Sequence, residues 1–163
     1  MSPPPTPDPS AWTLPKLRID RDGLWFHDDA EVTHPGVIAN LRENLQVDER
    51  GHYLQIGPAR VPVEVEDTPY VVERVEATGA ELTATLNDLT REPVALDTLR
   101  VDERGIPRCR VKEGRFDARL SRAATYQLLQ HARPDEGAGR ASLVLGGRRY
   151  PVPGLEGASG PGG

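Results

Sequence analysis

Three carboxylates close together, Glu64, Glu66 and Asp67, come nearest to a catalytic pattern in this sequence. Alternation along a strand puts Glu64 and Glu66 on one face, with Asp67 at its end, so an acid–base pair there would suit a hydrolase. A polar strand end leading into Thr68-Pro69 accounts for the same residues without chemistry, and the carboxylates can equally serve as hydrogen-bond acceptors for a ligand. The cations are almost all arginine, with lysine only at Lys16 and Lys112. A planar guanidinium suits carboxylate or phosphate, which makes Arg110 and Arg119 candidates for anionic groups. Trp25 and Tyr70 are candidates for stacking on an aromatic ligand, and Glu66 and Asp67 for accepting from its amino groups.

Other chemistries fit poorly. There is no glycine-rich phosphate loop ending in Lys-Ser/Thr, no dinucleotide fingerprint and no catalytic-serine signature. The single cysteine, Cys109, has no base near it in sequence and reads as a small packed hydrophobe. The run His27-Asp28-Asp29 reads as a tight turn, Gly146-Gly147-Arg148-Arg149 as a hairpin turn, and His34, His52 and His131 fall on separate elements. No metal, cofactor or enzymatic activity is expected.

The elements that would carry these residues repeat. Leu17-Arg18-Ile19-Asp20-Arg21-Asp22-Gly23 matches Leu99-Arg100-Val101-Asp102-Glu103-Arg104-Gly105. Val32-Thr33-His34 through Ile38 and Leu41 lines up with Leu120-Ser121-Arg122 through Tyr126 and Leu129, each read as a helix after a Thr33 or Ser121 cap. Leu54 to Val63 pairs with Leu143 to Val152 as a hairpin in each copy. Val37, Ile38, Leu41 and Leu45 follow helical spacing, whereas Leu82, Ala84 and Leu86 alternate as in a strand. The expected class is α+β: duplicated strand-helix-strand units with mostly antiparallel sheets. The expected organisation is a Pro-rich disordered tail over 1–16, a first unit with a hairpin insert over 17–98, a second unit over 99–153 and a Gly-rich disordered tail over 154–163.

Charge is uneven. Residues 17–98 hold 7 basic and 17 acidic side chains, and 99–153 hold 12 and 6, within a chain of net charge −5. The overall acidity and the lack of a basic stripe with interleaved aromatics argue against a nucleic-acid polymer. With no apolar run of about 20 residues and no signal-peptide pattern, the expected location is the cytoplasm, with no membrane partner.

Three strings resemble the domain of unknown function 1285 (DUF1285) family: Asp22-Gly23-Leu24-Trp25-Phe26, Val63-Glu64-Val65-Glu66-Asp67-Thr68-Pro69-Tyr70, and the stretch from Arg110-Val111-Lys112 to Leu120-Ser121-Arg122. The resemblance covers about 17–153. His34 and Asp29 depart from it, where Arg and Gly are usual. It implies a duplicated α+β fold, a second half loosely like a pleckstrin-homology domain, and a ligand site between the halves for a small, nucleobase-containing molecule in signal transduction. Junctions between packed units are also common ligand sites on physical grounds. The expected function is thus small-molecule binding through Trp25, Glu66, Asp67, Tyr70, Arg110 and Arg119. The alternatives are a protein–protein scaffold, which would use an exposed edge strand, and the hydrolase above.

Overall fold

The computed structural model describes residues 15–136 and 139–156. The residues divide into two compact units, one ending at Asp67 and the other starting at Thr68. The fold is α+β, with mixed and antiparallel sheets and two short helices.

The first unit begins with a hairpin, β1 (Leu17–Ile19) and β2 (Trp25–His27). Its loop is closed locally: the Asp20 carboxylate accepts from the backbone N–H groups of Asp22 and Leu24, both at 2.9 Å, while Gly23 takes a φ of +81°. That side-chain acceptor and a residue without a Cβ penalty are what such a turn requires. Asp28 and Asp29, both at positive φ, turn the chain into β3 (Ala30–Glu31). Lys16 is tied to this loop by two hydrogen bonds with Asp28, each 2.9 Å.

Helix α1 (Pro35–Asn44) follows, then the meander β4 (Leu45–Asp48), β5 (Gly51–Ile56) and β6 (Ala59–Val65). The helix is capped by His34 rather than Thr33: the His34 Nδ1 accepts from the N–H groups of Gly36 and Val37 at 3.1 and 3.3 Å. Leu45, placed on the helix by its spacing, is the buried first residue of β4, and α1 itself buries no residue. The sheet order is β3-β2-β1-β6-β5-β4, with β1 and β6 parallel.

The second unit opens with the long hairpin β7 (Tyr70–Thr78) and β8 (Glu81–Leu86), then β9 (Arg91–Pro93) and a short 3-10 turn, Leu96–Thr98. The hairpin β10 (Arg100–Val101) and β11 (Pro107–Val111) leads to β12 (Phe116–Leu120), helix α2 (Arg122–Leu129), and β13 (Ala132–Pro134), β14 (Arg140–Leu145) and β15 (Arg148–Glu156). The main sheet runs β10-β11-β12-β7-β8-β9, and β13-β14-β15 form a second, antiparallel sheet. Leu82, Ala84 and Leu86 are buried on one face of β8, as the alternation requires.

Two boundaries differ from the sequence reading. The hairpin insert assigned to 17–98 belongs to the second unit, because β7 pairs in parallel with β12 through Tyr70, Val71 and Val72. Buried Thr68 reinforces this junction, donating to the Tyr70 carbonyl at 2.7 Å and accepting from the Arg119 N–H at 3.2 Å. Gly154, Leu155 and Glu156 complete β15 rather than starting a tail. The rest of the C-terminal tail, and the N-terminal one up to Leu14, lie outside the described residues.

The β10–β11 loop repeats the β1–β2 loop bond for bond. Asp102 accepts from the N–H groups of Arg104 and Ile106 at 2.8 and 2.9 Å, and Gly105 has a φ of +81°.

Candidate functional site

Strand β12 positions the candidate residues by its pleat. Phe116, Ala118 and Leu120 are buried on one face, so Asp117 and Arg119 project from the other. In β11, Cys109 and Val111 are buried, and Arg108 and Arg110 share the outer face. Cross-strand register fixes who meets whom: Arg100 stands opposite Arg108, Arg108 opposite Arg119, and Arg110 opposite Asp117. Residues directly opposite have Cβ atoms about 4.5–5.5 Å apart. Four arginines from three neighbouring strands therefore occupy one patch.

Two carboxylates serve this patch. Asp117 lies 3.1 Å from Arg100 and 3.4 Å from Arg110, through the same oxygen, and all three side chains are 39–44 % exposed. Asp102 takes the Arg108 Nε at 2.9 Å. Its carboxyl is held below the usual range, first by the hydrogen bond from the Ile106 N–H; burial, next in size, opposes this, and the hydrogen bonds from Arg108 and the Arg104 N–H then add to the lowering.

Beside Arg119 the patch runs into a groove of about 410 Å³ bounded by α2, β12 and the β10–β11 loop. Arg119, Arg122 and Thr125 supply its polar edge, and Ile106, Tyr126 and Leu129 its apolar wall. Arg122, Tyr126 and Leu129 recur at helical spacing, so one stripe of α2 faces the groove. The helix buries Ala124 and Leu128 on its other side and leaves Tyr126 70 % exposed. A larger hollow of about 710 Å³, lined by Asp135, Arg140 and strand β15, offers no aromatic side chain.

The residues singled out from the sequence distribute unevenly. Arg110 and Arg119 share the outer face of one sheet. Tyr70 lies on the opposite face, because it pairs with buried Ala118. It is 3 % exposed and packs on Phe116 at a ring distance of 5.5 Å. Trp25 is 1 % exposed, opposite Ile19, and its indole N–H meets no acceptor among the described residues. Neither ring offers a free face for stacking. Glu66 pairs with Arg18 at 3.8 Å, and Glu64 stands beside Arg18 in register, so these carboxylates face a cation in the first unit. Asp67 ends that unit. Burial drives the Cys109 thiol up to about 12, which suits packing rather than nucleophilic work.

Sequence reasoning missed Arg100, Arg108, Arg122, Tyr126 and Leu129. The spacing of Arg122, Tyr126 and Leu129 was a usable signal, but in the sequence it served only to align this helix with the one in the first repeat.

No family model matches the chain, and no curated protein does. Solved structures do. A DUF1285 family protein from Silicibacter pomeroyi DSS-3 superposes with a TM-score of 0.70 at 23% identity, over 90% of this chain and 87% of that one. The chain has the DUF1285 fold. A DUF1285 family protein from Shewanella baltica OS155 gives a TM-score of 0.60 at 18% identity, over 71% of this chain and 91% of that one. The DUF1285 resemblance seen in the sequence strings is thus matched at the level of fold. Among the described residues, no helix of this DUF1285-like chain is long and apolar enough to cross a membrane.

Proposed function

We propose that this protein binds a small molecule combining an aromatic or apolar moiety with an anionic group, as a nucleobase-containing metabolite does, and that ligand occupancy is its signal. The supporting observation is the groove beside α2, where exposed Tyr126 and Leu129 stand next to Arg119 and Arg122. An apolar wall with a few convergent polar groups is the usual make-up of a ligand site. Tyr126 takes the stacking role first considered for Trp25 and Tyr70, and Arg119 keeps its anionic one. For the scaffold alternative, the edge strands β3, β9, β10 and β13 have only two or three residues, so strand addition by a protein partner would have to use the longer edges β4 or β15.

We also read the two units as copies of one ancestral module. Beyond the matching loops, Ile19 pairs with Val65 across β1 and β6. Extending the matches of Leu17 with Leu99 and of Val63 with Val152 carries those residues to Val101 and Gly154, which likewise meet.

The test is a thermal-shift panel of nucleoside monophosphates and aromatic carboxylates. At about 100 times its dissociation constant a ligand adds about 2.7 kcal/mol. Each kcal/mol moves Tm by about 2–4 °C in a chain of this size. A shift that disappears in Tyr126→Ala and Arg122→Ala supports the reading. No shift with any member, or one that both variants preserve, refutes it.

A further inference from the structure

The arginine row extends beyond the groove, and its register is costly. Like charges directly opposite on neighbouring strands repel, yet Arg100, Arg108 and Arg119 stand in one cross-strand line over β10, β11 and β12. Asp117 is shared by Arg100 and Arg110 through a single oxygen, and about two-fifths of each of these side chains remains open to solvent. Arg100 also donates to the Thr98 carbonyl at 3.4 Å. A guanidinium carries five donors, so these contacts still leave most of the donors of Arg100 and Arg110 for an incoming anion. The line starts at Arg119, which also edges the groove. A ligand seated against Tyr126 with its first anionic group at Arg119 would direct a second one along the row.

We infer that the ligand carries two linked anionic groups, as a diphosphate does, with the second held by Arg100 and Arg110. This rests on the groove reading above and adds the class of ligand. Asp117 then acts as the internal anion that occupies the patch when no ligand is bound. Bidentate pairing of arginine with phosphate supplies the specificity, and it weakens with salt.

Calorimetric titration of the full chain with a nucleoside monophosphate and the matching diphosphate tests it. The diphosphate binds at least about tenfold tighter, a difference of about 1.4 kcal/mol. Replacing Arg100 and Arg110 together by Gln erases that factor and leaves the monophosphate affinity unchanged. Asp117→Asn, which removes the competing carboxylate, tightens the diphosphate further, a gain that a misfolded variant would not give. Equal affinities for the two compounds in the unaltered protein overturn this inference and leave the groove reading standing, whereas failure of both to bind removes the two together. Binding to vesicles containing a bisphosphorylated inositol lipid, with no response to soluble diphosphate, also overturns it.

Discussion

Replacing Gly154 by Ala tests how β15 is held against β10. A Cβ built on Gly154 lies 2.1 Å from the Val101 carbonyl oxygen and 3.0 Å from its carbon, whereas ordinary contact begins near 3.4 Å. Both sides of this contact are backbone, so no rotamer change relieves it, and β15 must move by more than about 1 Å. Gly147 supplies the control, being in the same unit at a φ of +78° against +82°, with nothing within 4 Å of its would-be Cβ. Alanine at either position carries the left-handed backbone penalty of about 1–2 kcal/mol. Only Gly154→Ala adds the overlap, which by analogy with overpacked sites costs about 1–3 kcal/mol more. Urea denaturation followed by far-UV circular dichroism gives both values. The two tryptophans are unsuitable probes, since both precede Thr68, where the second unit starts. The expected result is a loss at Gly154 larger by at least 1 kcal/mol, about the lower end of that overlap cost. Equal losses would show that β15 shifts freely at this point and would refute the close approach.

Four further outcomes follow from the local chemistry. Asp102→Ala, which removes two backbone hydrogen bonds and the Arg108 pair, destabilises by about 1–3 kcal/mol, while Asp102→Asn, which can still accept from Arg104 and Ile106, loses about half as much or less; thermal melts at neutral pH distinguish them. Because the folded Asp102 pKa lies below its ordinary 3.8, its contribution is complete above that value and is lost as pH falls through the lower folded one. Asp88 behaves in the same way: burial opposes its ionisation, but hydrogen bonds from Lys112 and Thr90 outweigh burial, so Asp88→Asn flattens the acid limb of a stability–pH curve below about pH 4. Cys109, buried and with its thiol pushed up to about 12, resists iodoacetamide at pH 8 and reacts only in denaturant; fast labelling of the native protein would contradict its packing. His34→Ala removes the α1 cap and costs about 1 kcal/mol, whereas His34→Asp restores stability; equal melting of both variants would mean that the cap bonds contribute nothing.

The charge map shows how a boundary alters a reading. Split at residue 98, the sequence has a strongly acidic half and a strongly basic one. Split at Asp67, the second part contains the acidic hairpin β7–β8 and is nearly neutral. Its arginines are instead gathered on one sheet face, and that is a matter of pleat and register rather than net charge.

What the sequence determined by itself was local. The Asp-x-x-Gly loops at Asp20 and Asp102, the turns at Asp28-Asp29 and Gly146-Gly147, the alternation of β8 and the Ser121 cap each depend on a few adjacent residues whose hydrogen bonds and backbone angles are set within the segment. The α+β class follows from the sum of such signals. Only the tertiary structure decided which strands lie side by side. The parallel pairs β1–β6 and β7–β12 join segments about 45 residues apart, and no short pattern encodes a partner at that distance. That choice placed the Tyr70 hairpin in the second unit, buried Tyr70 and Trp25, left Tyr126 exposed, and aligned Arg100, Arg108 and Arg119. A one-residue change of register reverses the face on which every side chain of a strand projects, so the site was fixed by pairing that sequence periodicity alone does not specify.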